Sequence, residues 1–110
     1  MMNPEHTKSP TVELASVAQQ LIDGKIGVSY ASRLILGHAS RAYGDPWKNE
    51  IFRIFVVIES DTDHLPLGSV RSKWDSEALK KKDEEIAGID DFYRAEAIKA
   101  AKTILEFLKK

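Results

Sequence analysis

At 110 residues the chain is sized for one hydrophobic core, and 43% hydrophobic with 30% charged residues describe a globular protein rather than a disordered one. A formal net charge of -1 gives no electrostatic reason to expect nucleic acid or an anionic membrane as partner. The absence of cysteine excludes disulfides, thiolate metal sites and cysteine nucleophiles, and it suits a reducing compartment.

Residues 1–8 combine proline, histidine, asparagine and charges, and read as a mobile N-terminal tail ahead of a single helical domain over 9–110. The opening MMNPEHTKSP has no apolar signal core, and the longest apolar run, Ile54 to Ile58, is too short to span a bilayer. A cytoplasmic protein without membrane contact is expected.

The expected fold is all-α: an antiparallel bundle of about five helices, at roughly 10–22, 28–43, 46–60, 75–87 and 90–108. Ser9-Pro10 opens the first helix, since serine caps free N–H groups and proline fits the first helical position. Leu14, Val17, Ala18, Leu21 and Ile22 form its stripe, and Asp23-Gly24 ends it. The short link to Gly27 folds helix two back, with Tyr30, Leu34, Ile35, His38 and Ala42 expected inward and Gly44 as the stop. Asp45-Pro46 repeats the start signal. Trp47, Ile51, Ile54, Phe55 and Ile58 then give a central helical stripe, with Phe52 and Val56 widening it. The β-branched run Val56-Val57-Ile58 keeps a buried strand at 51–58 as the rival reading.

A loop follows from about 61 to 72, punctuated by Pro66 and Gly68 and pinned by Leu65 and Leu67. Ser72 or Asp75 starts the next helix, with Leu79 and Ile86 inward and Trp74 at its mouth. Gly88 is expected to break it before the last helix, whose stripe is Ala97, Ala101, Ile104, Leu105 and Leu108.

No recognisable nucleophile motif and no glycine-rich phosphate loop occurs, so the sequence offers no catalytic residue and implies no cofactor. Asp61, Asp63 and His64 carry metal-ligand chemistry but match no zinc spacing. An exposed turn, with the carboxylates accepting from loop N–H groups, is the better account of them. His64, Arg71 and Trp74 are the candidate residues for a small ligand held by the loop. The acidic residues carry more. Glu59, Asp61 and Asp63 form one cluster, and Asp83, Glu84, Glu85, Asp90 and Asp91 a second. If they share a face, they suit docking on a basic protein surface; the alternative is a solvated helix–helix turn. A homodimer that covers part of the apolar 51–58 surface is a third reading.

Val12-Glu13-Leu14-Ala15, then Leu21-Ile22-Asp23-Gly24-Lys25-Ile26, Tyr30-Ala31-Ser32-Arg33 and Ala42-Tyr43-Gly44, make residues 12–44 similar to the start of small bacterial helical immunity proteins of the colicin D immunity type. The run Glu59 to Gly68, with Arg71 and Trp74, resembles a small bacterial family of unassigned function. The immunity resemblance implies a cytoplasmic helical protein that neutralises a nuclease-type toxin domain, presenting carboxylates to a cationic cleft. Glu59, Asp61, Asp63, Asp83, Glu84, Glu85, Asp90 and Asp91 would then form the partner-binding face.

Overall fold

The computed structural model describes residues 9–109, so the expected tail at 1–8 lies outside the described residues. Those residues form an all-α bundle, with no strand among them: α1 (Pro10–Ile22), α2 (Val28–Tyr43), α3 (Arg53–Thr62) and α4 (Ser76–Leu108). None of these helices is long and apolar enough to cross a membrane.

The helices close a ring in which α1 packs on α2 and α4, α2 on α3, and α3 on α4. Side-chain pairs fix their directions. Arg33, early in α2, reaches the end of α3 at Thr62, while Tyr43 at the end of α2 stacks on Phe52 just before α3. Those two therefore run antiparallel. Ser29 meets Asp90 at one end and Tyr43 meets Phe107 at the other, so α2 and α4 are parallel across the diagonal.

Local signals set the ends of α1. Ser9 accepts from the Val12 N–H, and Pro10 occupies the first turn. At the far end Lys25 N–H bonds to Gln20 C=O and Gly24 N–H to Leu21 C=O, with Gly24 at φ 73, a left-handed value that glycine takes without strain. The core is Leu14, Leu21, Val28, Ile35, Phe52, Phe55, Ile58 and Ile104 with Ala31, Ala39, Ala97 and Ala101 between them. Full burial of Phe52 or Phe55 contributes roughly 1.5–3 kcal/mol each.

Three expectations need correction. The helix expected at 46–60 begins as two 3₁₀ turns, Pro46–Lys48 and Glu50–Phe52, and becomes α-helical only at Arg53. Asn49 is the cause: it is extended (φ -123, ψ 118) and its side chain accepts from the Ile51 N–H, a second cap that restarts the chain. Trp47 consequently leaves the core stripe and is 54% exposed, and the buried set is Phe52, Phe55, Ile58 and Thr62. Secondly, Gly88 breaks nothing, and the helices expected at 75–87 and 90–108 are one 33-residue helix. A lone glycine costs a helix about 1 kcal/mol, and no proline or competing cap is there to add to it. Thirdly, Tyr30 is 39% exposed rather than inward, whereas His38 on the same stripe is partly buried, beside the Arg41 guanidinium.

Two helix ends are capped from a distance. Gly27 precedes α2 and offers no side-chain cap. Asp90 of α4 supplies it: one carboxylate oxygen accepts from the Ser29 N–H at 2.8 Å and from the Ser29 hydroxyl at 2.5 Å. A Cβ on Gly27 would sit 2.9 Å from the other oxygen, so only glycine admits this approach. The mirror case is α3, whose final carbonyl, Thr62, accepts from Arg33 Nη2, which also reaches the Leu65 carbonyl. An anion at one helix N-terminus and a cation at another's C-terminus both match the helix dipole.

Candidate functional site

The segment after α3 is shaped by its apolar residues. Leu65 and Pro66 are buried, and Gly68–Lys73 coils into a 3₁₀ helix. Its polar side chains then clamp the N-terminal half of α4. Arg71 grips Asp83 through two bonds, 2.7 and 2.9 Å, and also donates to the Pro66 carbonyl at 3.2 Å. His64 Nε2 lies 2.5 Å from Glu85 Oε2, with Lys82 3.8 Å from the other oxygen of Glu85. Tyr93 donates to Asp61 at 2.5 Å.

These contacts set the titration behaviour. Hydrogen bonds from Arg71 hold the Asp83 carboxyl below its ordinary range, against a smaller opposing effect of desolvation and with help from the guanidinium charge. Arg71 is correspondingly more firmly protonated. The Tyr93 phenol is pushed above 10, first by its bond to Asp61, then by burial and the charges of Asp61 and Glu96.

The 61–64 segment therefore packs on α4, with Asp61 at Tyr93 and His64 at Glu85, while the eight acids of the two clusters do not share one face. They do not act as eight equivalent charges. Asp90 is buried as the α2 cap and belongs to no surface. Asp83 and Glu85 are held by Arg71 and His64, and Asp91 by Arg94 at 2.5 Å. Asp63 is exposed, 3.9 Å from His64 Nδ1. Asp61 accepts from the Tyr93 hydroxyl and makes no ion pair among the described residues. Glu84 is exposed and makes no ion pair among the described residues. Glu59 is half-buried and faces a groove between α2 and α3, away from the α4 clamp.

The loop residues proposed for ligand binding are otherwise engaged. His64 and Arg71 are structural ties, and Trp74, 37% exposed, ends the 3₁₀ turn. The grooves between α3 and α4, at the α1–α2 link and between α2 and α3 are lined by none of residues 61–74. Among the described residues no group of three His, Asp or Glu side chains is placed to hold a metal ion.

Sequence reasoning passed over Phe92, a flanking residue of the last helix. It is 76% exposed, the most exposed large apolar side chain among the described residues. Its helical neighbours at i-4 and i+3 are Gly88 and Ala95, so the ring stands above a low surface. It packs edge-on against Tyr93, with centroids 4.8 Å apart. Glu85 and Glu96 fall at i-7 and i+4, Glu84 and Asp91 lie to the other side, and Asp61 reaches the Tyr93 hydroxyl. Lys99, at i+7, closes the ring toward the C-terminus. The signal was present in the sequence: Phe92 falls off the 90–93–97–101–104 stripe, between two small residues.

Comparison with protein-family models, curated proteins and solved structures returns no match.

Proposed function

We propose that this chain is a protein-interaction module that docks a cationic partner protein on the α4 face centred on Phe92. The exposure of Phe92 carries the reading. A large ring fixed on a rigid helix, in a rim of carboxylates, has the anatomy of an interface anchor: the ring contributes affinity, while the charges steer encounter and set specificity. Asp61, Glu84 and Glu96 are the rim carboxylates that make no ion pair among the described residues, and Asp63 stands beside His64 on the neighbouring segment. The resemblance of residues 12–44 to colicin D-type immunity proteins supplies a class of partner, the basic nucleic-acid-binding cleft of a nuclease-type toxin. Neutralising such a domain is the specific form of the proposal.

The test is 1:1 binding to a nuclease-type domain encoded beside this chain, followed by titration calorimetry at several salt concentrations and by protection of growth when both are expressed. Phe92→Ala should weaken binding by at least about tenfold. Asp63→Lys with Glu84→Lys should lower the association rate and flatten its salt dependence while leaving dissociation nearly unchanged. No complex at low salt together with no growth protection refutes the toxin reading. A complex indifferent to Phe92→Ala refutes the docking face.

A further inference from the structure

We infer that the groove between α2 and α3 is a binding site for a small zwitterion of the α-amino-acid class with an apolar side chain. The groove has a volume of about 470 Å³ and is lined by Arg33, Gly37 and Ser40 of α2, Trp47 of the preceding turn, and Val56 and Glu59 of α3. That lies within the size range of small-molecule clefts.

Its charged walls give it chemistry. Arg33 commits Nη2 to the carbonyls at the end of α3, leaving Nε buried without a partner and Nη1 unengaged among the described residues. Glu59, half-buried on the other helix, makes no side-chain hydrogen bond or ion pair among the described residues. A cation and an anion thus line one cleft, both partly stripped of water, without meeting. The α3 carbonyls engage Arg33 through Nη2 alone, so its remaining donor and the Glu59 carboxylate are left for a ligand. A ligand that places its carboxylate on Arg33 Nη1 and its ammonium on Glu59 engages both groups at once. The Ser40 hydroxyl adds a group that can donate or accept.

The apolar wall is equally specific. The Trp47 indole is 54% exposed, yet its backbone is held on both sides: its N–H donates to Asp45 at 3.0 Å, and Arg53 Nε donates to its carbonyl at 3.0 Å. An exposed indole on a fixed backbone, lining the same groove as Val56, is a surface for an apolar side chain. Gly37 keeps the floor open, since a Cβ there would meet nothing within 4 Å. A nucleobase would also stack on Trp47, but it brings no pair of full opposite charges.

Titration calorimetry of the full chain with L-phenylalanine and L-leucine tests the site, alongside N-acetyl-L-phenylalanine, which lacks the ammonium, and L-phenylalaninamide, which lacks the carboxylate. The free amino acids should bind 1:1, and each one-charge derivative about tenfold more weakly. Glu59→Gln should weaken L-phenylalanine about tenfold and leave N-acetyl-L-phenylalanine unchanged. Gly37→Leu fills the floor and improves helix propensity, so it should abolish binding while its thermal midpoint stays at or above that of the parent. No heat from either amino acid at millimolar concentration overturns the inference. So does equal affinity for charged and blocked ligands, or full binding by the Gly37→Leu variant.

Discussion

Asp90→Ala should cost far more than the loss of an ordinary surface acid. The substitution removes the only side-chain cap of α2, about 1 kcal/mol by itself. It also strands the Ser29 N–H and hydroxyl, both buried, at about 1–3 kcal/mol more. The expected total is about 2–4 kcal/mol, a fall of about 1–2 M in the urea midpoint for a domain of this size. Gly27→Ala attacks the same contact from the other side. Its Cβ would lie 2.9 Å from the Asp90 carboxylate, so the acid must shift and its bonds to Ser29 lengthen, at about 1–3 kcal/mol. In the Asp90→Ala background that collision is gone, and the backbone at Gly27, φ -70 and ψ 153, accepts alanine readily. The double variant should therefore be more stable than the sum of the two single losses predicts, by at least about 1 kcal/mol. Urea unfolding of all four proteins measures this. An Asp90→Ala loss under about 0.5 kcal/mol, or additivity within that margin, refutes the cap.

Two further predictions concern pH. The Asp83 carboxyl is held below its ordinary 3.8 by Arg71, so the clamp's stabilisation is present above that value and is lost as pH falls through the lower folded-state value. The stability difference between the parent and Arg71→Gln should be flat from about pH 5 upward and shrink in acid, as read from urea midpoints across a pH series; a difference that grows on acidification contradicts it. His38 titrates below its ordinary 6.5, first because burial disfavours the imidazolium and then because of the Arg41 charge, with Glu13 opposing. The unfolded chain therefore takes up this proton more readily. Stability should be unaffected by His38 above 6.5 and decline as pH falls from there through the folded-state value. An NMR titration should place the His38 midpoint below 6.5, and Arg41→Gln should move it upward; a midpoint at or above 6.5 sinks the assignment.

The parts of the fold that could be read in advance are those set by near neighbours in the chain. Ser9-Pro10 and Asp23-Gly24 mark the ends of α1 because their bonds span only a few residues. The buried Phe55 and Ile58 follow from helical spacing. Asn49 is local too, but an asparagine inside an apolar run reads as an interruption, not as a second cap. Asp90 and Arg33 are illegible for a different reason. Their partners lie 61 and 29 residues away, and hydropathy cannot separate an acid that caps a distant helix from one that faces water. The acidic clusters were visible as composition; which carboxylates are already bonded by Arg71, His64 and Arg94 was not. The α2–α3 groove needed the three-dimensional meeting of Arg33, Trp47 and Glu59, which no stretch of sequence holds together.

The long helix α4 also has two different halves. Its buried residues, Asp90, Ala97, Ala101 and Ile104, all lie from residue 90 onward. The stretch before them is held against the body chiefly by the polar ties of Arg71 and His64. Amide protons early in the helix should therefore exchange with solvent through a local opening that leaves the bundle intact, whereas those past residue 97 should exchange only when the whole domain opens. One continuous helix would thus contain two cooperative units. The seam between them falls beside Gly88 and Phe92, so a partner that grips Phe92 would hold the looser unit closed and slow exchange at sites it never touches.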